Sequence, residues 1–380
     1  MKSYDLAIVG GGIMGLMSAY YASENGASVV MLEKSTIGNK QAASFSYTRS
    51  MRTDYLDPFY AGLAYEARKL WLGLEKLADK ELLVKCSCLN LVKKSVTPVI
   101  DQTYGARSYQ VISDLGYEPK RFGSEIKDTY PQFAVDAGYL DNLGGYFDLA
   151  VITEFLIDKL AERNVKIIEN VQVQNISESI SNVEIKTKNQ NFNAKKVIIT
   201  AGMGTNNVLS MVSGNNLALP LSFDKPKECK YFYPPEDMIE QFLPGNFPVF
   251  AYLDVGIYGH PIFDRKKGAV KISYYNPTDM EVKDTSIKSV MDFVNECLPD
   301  LKDVHRENVK DADQCYYDLV EDDDFIIGNL PGFKNIIVGC GWRGTGYKFA
   351  PLIGKTMSLL AAGRMTDYNI TKFNPERFAK

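Results

Sequence analysis

"YDLAIVGGGIMGLMSAYYASENGASVVMLEK", residues 4–34 of a 380-residue chain, is the stretch that decides the fold. Tyr4–Val9 reads as a buried strand, Ile13–Asn25 as a helix and Ala27–Leu32 as a second strand, which together make a β-α-β unit. Gly10, Gly12 and Gly15 stand between the first strand and the helix in the spacing G-x-G-x-x-G. The first glycine permits a tight turn, the second lets backbone approach a diphosphate, and the third lets helix and strand pack closely. The helix start then offers unpaired N–H groups and a partial positive charge to phosphate oxygens. Glu33 closes the second strand, where a carboxylate accepts hydrogen bonds from ribose hydroxyls and repels a 2′-phosphate. Ala19 and Gly26 extend the pattern as a small helix residue and a helix-ending glycine. Three glycines alone could be a plain turn; with strand, helix and acid in register they predict a dinucleotide site. They do not separate FAD from NAD.

Length and composition set the surroundings. A chain this long is expected to hold two domains, or one large α/β domain with an insertion. Its 45% hydrophobic and 24% charged residues are ordinary for a soluble enzyme. A net charge of −4 argues against a nucleic-acid surface. The six cysteines, at 86, 88, 229, 297, 315 and 340, follow no framework spacing and read as reduced thiols of a cytoplasmic protein. Cys86 and Cys88 lack a second pair or a nearby histidine, so no metal site is expected. The run Glu321–Asp324 lacks the spaced ligands of a calcium loop and reads as a solvated loop. No apolar run reaches 18 residues, so no membrane-spanning helix is expected.

Further along, Asp57-Pro58 caps an amphipathic helix expected to reach about Leu83. Val151–Asn164 reads as a helix, followed by alternating strand-like segments up to "AKKVIITAG". Residues 221–280 are rich in aromatics, prolines and short β-like runs. Ser286–Pro299 reads as a proline-stopped helix, Asn335–Cys340 as a strand, and Pro351–Gly363 as a last helix. The expected architecture is α/β: a Rossmann-type dinucleotide domain from 1–85, 145–220 and 315–380. A substrate domain, α+β on a mixed, largely antiparallel sheet, is expected from 86–144 and 221–314.

Four more segments carry a resemblance. "SFSYTRSMRTDY" (44–55) holds T-R-x-x-R; "CYYDLVEDDDFII" (315–327) sets a cysteine in C-x-Y context before an acidic loop. "GWRGTGYKF" (341–349) is a glycine-rich turn ending in Lys348, and "AKKVIITAGMGTNNVL" (194–209) looks like a second nucleotide-contacting strand and turn. From the glycine loop to about Phe373 the chain resembles the monomeric sarcosine oxidase family, within the D-amino-acid oxidase group of FAD-dependent amine oxidases.

The resemblance implies FAD as cofactor, joined covalently through Cys315. It implies cofactor contacts from Gly10, Gly12, Ile13, Met14, Gly15, Glu33, Lys34 and Ser44. Further contacts are implied from Thr48, Arg49, Val171, Ala201, Gly202, Gly344, Gly346 and Lys348. Lys271, Arg49 and Tyr317 take catalytic positions, Lys271 matching a lysine linked to oxygen reduction. Arg52 and Lys348 match the binders of a substrate carboxylate, a role that suits arginine's planar fork and lysine's point charge. Tyr258, Tyr275, Trp342 and Phe45 are pocket candidates, though each could equally be a core aromatic. Members that oxidise sarcosine carry histidines at the positions of Phe45, Tyr275 and Thr345. "KFAPLIG" (348–354) is similar to a relative acting on a cyclic imino acid. The implied activity is oxidation of a secondary or cyclic α-amino acid by molecular oxygen, giving imine and hydrogen peroxide, in a monomer. Two alternatives stay open: a flavin dehydrogenase using a non-oxygen acceptor, and a flavin-binding protein without turnover.

Overall fold

Strand Ser3–Val9 lies between two parallel neighbours, Asn191–Ile199 on one side and Val29–Leu32 on the other. Covered on both edges and both faces, it is apolar at nearly every position after Asp5 rather than alternating. The computed structural model describes residues 3–224, 228–263, 268–274, 285–308 and 316–379. The chain divides into two units, one of 1–45, 150–225 and 315–380, the other of 46–149 and 226–314.

In the first unit the parallel core continues outward. Lys166–Ile168 adds beyond Val29–Leu32, and Ile336–Cys340 adds on the far side of Asn191–Ile199. Antiparallel strands finish the sheet at Val173–Glu178, Val183–Thr187 and Ile326–Asn329. Helix Ile13–Glu24 is buried over almost its whole length and therefore has no polar face. Helix Ala350–Ala361 packs on it so closely that a Cβ on Gly354 would lie 2.5 Å from Met17 Cβ. The core joins Ala7, Val9, Val30, Leu32, Val197, Ile199, Ile336 and Val338.

The second unit is built on an eight-stranded sheet. In order it runs His305–Asn308, Cys229–Tyr233, Ala269–Tyr274, Ile257–Phe263, Val249–Tyr252, Cys88–Val92, Ala137–Asp141 and Lys120–Phe122. Every pairing is antiparallel except Val249–Tyr252 against Cys88–Val92, so the sheet is mixed and mostly antiparallel. Its core is aromatic, with Phe133, Phe247, Phe250 and Phe293 in stacked and edge contacts.

Local signals placed the helices and missed some ends. Asp57 accepts the Phe59 N–H at 2.8 Å and Pro58 fills the first turn, as expected. The helix stops at Ala78, short of Leu83, because Asp79 turns left-handed with φ 48°. Ser289 caps Val290–Cys297 through the Asp292 N–H at 3.1 Å. Helix Tyr104–Asp114, capped by Thr103, had no counterpart among the expected elements.

The first crossing between units falls after residue 45, ahead of the expected boundary at 85. Strand Thr48–Met51 pairs with Gly145–Asp148, which also takes Leu83–Val84, and this small sheet belongs wholly to the second unit. Among the described residues, no helix is long and apolar enough to cross a membrane.

Candidate functional site

The glycine loop of the first unit shows three different reasons for glycine. Gly10 has φ +111°, and a Cβ there would lie 2.4 Å from Thr200 O. Gly15 faces the loop itself, since its Cβ would lie 2.0 Å from Gly10 O. Gly12 is unlike both: its Cβ would meet only Ser44 Oγ, at 3.1 Å. Glycine there leaves the approach to the helix start clear, with Ser44 as its one close neighbour. No side chain caps that helix from Gly12, and Ser44 Oγ accepts the Ile13 N–H at 2.9 Å.

Glu33 is buried and holds the loop shut. Its two oxygens accept the Gly11 N–H at 2.7 Å and the Ser35 N–H at 2.9 Å. Its carbonyl accepts the Val171 N–H at 2.9 Å, which sets Val171 beside it. Lys34 is exposed. Ala201 and Gly202 follow the strand end at Thr200, whose N–H donates to Val9 O at 2.9 Å next to Gly10. The cradle therefore brings Gly10, Gly12, Ile13, Gly15, Glu33, Ser44, Val171 and Ala201 into one neighbourhood. Its open backbone, helix start and buried acid fit a dinucleotide such as FAD.

The carboxy-terminal turn packs into the same unit. A Cβ on Gly346 would meet Trp342 Cβ at 2.6 Å and Met14 Cε at 3.1 Å, so the turn rests beside the helix start. Gly344, at φ +68°, gives room to the Tyr317 ring, whose Cδ1 would lie 2.4 Å from a Cβ. Lys348 is buried, and its Nζ donates to Thr345 O at 3.0 Å and Oγ1 at 2.7 Å. Asp318 pins this turn by accepting the Gly341 N–H at 2.8 Å. Burial lifts its carboxyl to about 6, although backbone N–H groups of Trp342 and Gly341 pull the other way. Phe45 is half-buried. Cys315 and Tyr275 lie outside the described residues.

Two polar clusters stand in the second unit. In the first, Lys271 is fully buried, with Nζ 3.4 Å from Ser46 Oγ and 3.4 Å from Thr48 O. The same Nζ lies 5.9 Å from the centre of the Tyr258 ring. His260, across the strand pair from Lys271, is fully buried between two hydroxyls. Its Nδ1 is 2.7 Å from Thr48 Oγ1 and its Nε2 is 2.8 Å from Ser50 Oγ. Thr48 thus touches His260 through its side chain and Lys271 through its carbonyl. Arg49, next in that strand, turns back to donate to Thr48 O at 3.2 Å.

In the second cluster, Arg52 donates through one terminal nitrogen to Asp54 Oδ1 at 3.0 Å and to Tyr104 Oη at 3.0 Å. Tyr55 lies over the guanidinium, 4.6 Å from ring centre to Cζ. Burial works against the Arg52 charge, but Tyr104, Asp54 and Tyr55 outweigh it and raise its pKa. Sequence reasoning gave no role to His260, Asp54, Tyr104 or Asp318. The only signal was that polar groups recur beside motif residues, which does not say which of them fold inward.

A family model described as FAD dependent oxidoreductase matches residues 5–360. Human peroxisomal sarcosine oxidase is 26% identical, covering 99% of this chain and 96% of its own. N-methyl-L-tryptophan oxidase of Yersinia pestis (strain Pestoides F) is 25% identical, covering 99% of both. The solved structure of NikD, an unusual amino acid oxidase essential for nikkomycin biosynthesis, superposes with a TM-score of 0.78. It shares 21% identity and covers 99% of this chain and 98% of its own.

Proposed function

The chain belongs to the FAD dependent oxidoreductase family, and from that premise we propose that it oxidises a secondary or cyclic α-amino acid at the C–N bond. The products are an imine and hydrogen peroxide: the substrate gives up two electrons and two protons, and oxygen takes both pairs. The chemistry that FAD supplies when bound is the two-electron couple. Gly10, Gly12, Ile13, Gly15, Glu33 and Val171 would hold it, with Cys315 as its covalent attachment. Met14, Lys34, Ser44, Ala201, Gly202, Gly344 and Gly346 complete the proposed cofactor set, with Thr48, Arg49 and Lys348.

The observation that carries this reading is the state of Arg52. One terminal nitrogen is fully engaged, while Nε and the other terminal nitrogen make no hydrogen bond among the described residues. A charged, oriented fork with an open edge suits a carboxylate. Lys348 is the second carboxylate binder that the family resemblance implies. Positive charge near the amine lowers its pKa and favours the neutral form that can be oxidised, so no histidine base is required. The buried Lys271 ammonium would stabilise negative charge developing on oxygen. Tyr258, Trp342, Tyr317, Phe45 and Tyr275 would shape the side-chain pocket. Aromatic side chains at Phe45 and Tyr275, where members that oxidise sarcosine carry histidines, support a substrate larger than sarcosine. We further propose a cytoplasmic monomer.

The test is peroxide release from a panel of N-methyl and cyclic amino acids. Arg52→Ala should raise KM about 10- to 100-fold, the loss of a charge-assisted pair; an unchanged KM would remove Arg52 from carboxylate binding. Intact mass after denaturation should show one added FAD, absent from Cys315→Ser. Flavin released by denaturing the parent would remove the covalent link.

A further inference from the structure

Arg52 is held by a buried network that the reaction itself does not require. Its engaged nitrogen donates to Asp54 Oδ1 at 3.0 Å, to Asp54 O at 3.1 Å and to Tyr104 Oη at 3.0 Å. Tyr104 passes its own proton on, donating to Asp54 O at 2.8 Å. Burial pushes the Tyr104 hydroxyl up, so it remains a donor. Each of these partners is itself fastened. Asn90 Nδ2 donates to Asp54 Oδ2. The Tyr104 N–H donates to both oxygens of Asp254 at 3.1 Å, and Thr53 donates through N–H and hydroxyl to Asp141, at 2.5 and 3.0 Å. Asp54, Tyr104, Asn90, Asp141 and Asp254 are all buried.

A lone arginine would move through many rotamers and lose that freedom on binding its ligand. Here the loss has already been taken in the folded state. Three acceptors converge on one nitrogen, so the guanidinium plane cannot rotate about its stem without breaking all three. What remains open is the edge formed by Nε and the second terminal nitrogen, the side-on fork that matches two carboxylate oxygens.

We propose that Asp54 and Tyr104 are positioning residues that aim this edge of Arg52 at the substrate carboxylate. The inference rests on the reading of Arg52 as the carboxylate binder. Neither residue touches the substrate; each acts through Arg52. Asp54 supplies the opposite charge that keeps the guanidinium in place. Tyr104 supplies the hydroxyl that fixes its plane.

The test uses the holoenzyme and two substitutions that keep shape, Asp54→Asn and Tyr104→Phe, beside Arg52→Ala. Two readouts are taken. One is the preference in kcat/KM for an N-methyl amino acid over its primary amide. The other is the dissociation constant of isobutyrate, a carboxylate with no oxidisable amine, read from thermal stabilisation and compared with isobutyramide. Each positioning variant should reduce the acid-over-amide preference about tenfold, the loss falling on KM rather than kcat, and weaken isobutyrate by a similar factor. Preference and isobutyrate affinity equal to the parent's in Tyr104→Phe, or equal loss of acid and amide in both variants, would overturn the proposal while leaving Arg52 in place. An Arg52→Ala enzyme with unchanged preference and unchanged isobutyrate binding would instead overturn the reading of Arg52, and the inference with it. If Asp54→Asn does not fold, Tyr104→Phe, which loses only a hydroxyl, decides the matter.

Discussion

Gly12→Ala separates the cofactor cradle from the fold that carries it. The Gly12 backbone lies at φ −70° and ψ 178°, which alanine adopts without strain. Its methyl would meet only Ser44 Oγ, at 3.1 Å. Alanine is a poorer helix cap, so the apoprotein should lose about 1 kcal/mol, or about 2 °C in Tm. The same methyl would stand where a diphosphate must approach the helix start. Losing one or two charge-assisted hydrogen bonds, at about 1.5 kcal/mol each, weakens FAD binding about 10- to 150-fold. Gly15→Ala is the contrast, because its methyl would lie 2.0 Å from Gly10 O. Helix and strand must separate, and the fold itself should lose about 3 kcal/mol. Both are measured on a Cys315→Ser background, titrating apoprotein with FAD by fluorescence and melting the apo forms. A Gly12→Ala protein that takes up FAD as tightly as its parent, or that melts as early as Gly15→Ala, would refute the reasoning.

Two further outcomes follow from the same geometry. Burial raises the folded Asp318 carboxyl from 3.8 to about 6, so the folded state binds the extra proton and stability falls as pH rises through that window. Asp318→Asn keeps an acceptor for the Gly341 N–H and should gain up to about 3 kcal/mol at pH 8 relative to its effect at pH 4; a variant whose effect is the same at both pH values shows no such linkage. Lys271→Met should slow reaction of the reduced enzyme with oxygen about 100-fold while slowing reduction by substrate far less. Stopped-flow traces in which both steps slow together would remove Lys271 from the oxygen step. A parent enzyme that hardly reacts with oxygen at all would favour a dehydrogenase.

The β-α-β unit was legible because its determinants are local: glycines at fixed spacing, an apolar strand, and an acid at the next strand end. The helix starts were legible for the same reason, as at Asp57-Pro58. The helix end at Ala78 was not, because Ala78-Asp79-Lys80-Glu81 reads as helix and only the folded context turns Asp79 left-handed. The first boundary between units depends on Thr48–Met51 pairing with Gly145–Asp148, a contact across about a hundred residues that no window sees. Within the site, the charged residues stood out as motif members. Their supports did not: nothing local says that the Asp54 carboxylate folds back on Arg52 rather than facing solvent.

Each compact unit is assembled from distant parts of the chain, and this bears on how the protein can be made and cut. Strand Asn191–Ile199 waits for Ile336–Cys340 to cover its edge, and the glycine-loop helix waits for Ala350–Ala361. The second unit is likewise joined across its sheet by a single parallel seam, Val249–Tyr252 against Cys88–Val92. A ribosome must therefore release the chain past Cys340 before the sheet of the first unit can close, leaving a nascent strand edge that chaperones would have to shield. Severing the last forty-odd residues should leave an insoluble stump. Supplying them in trans as a separate fragment should restore a soluble pair.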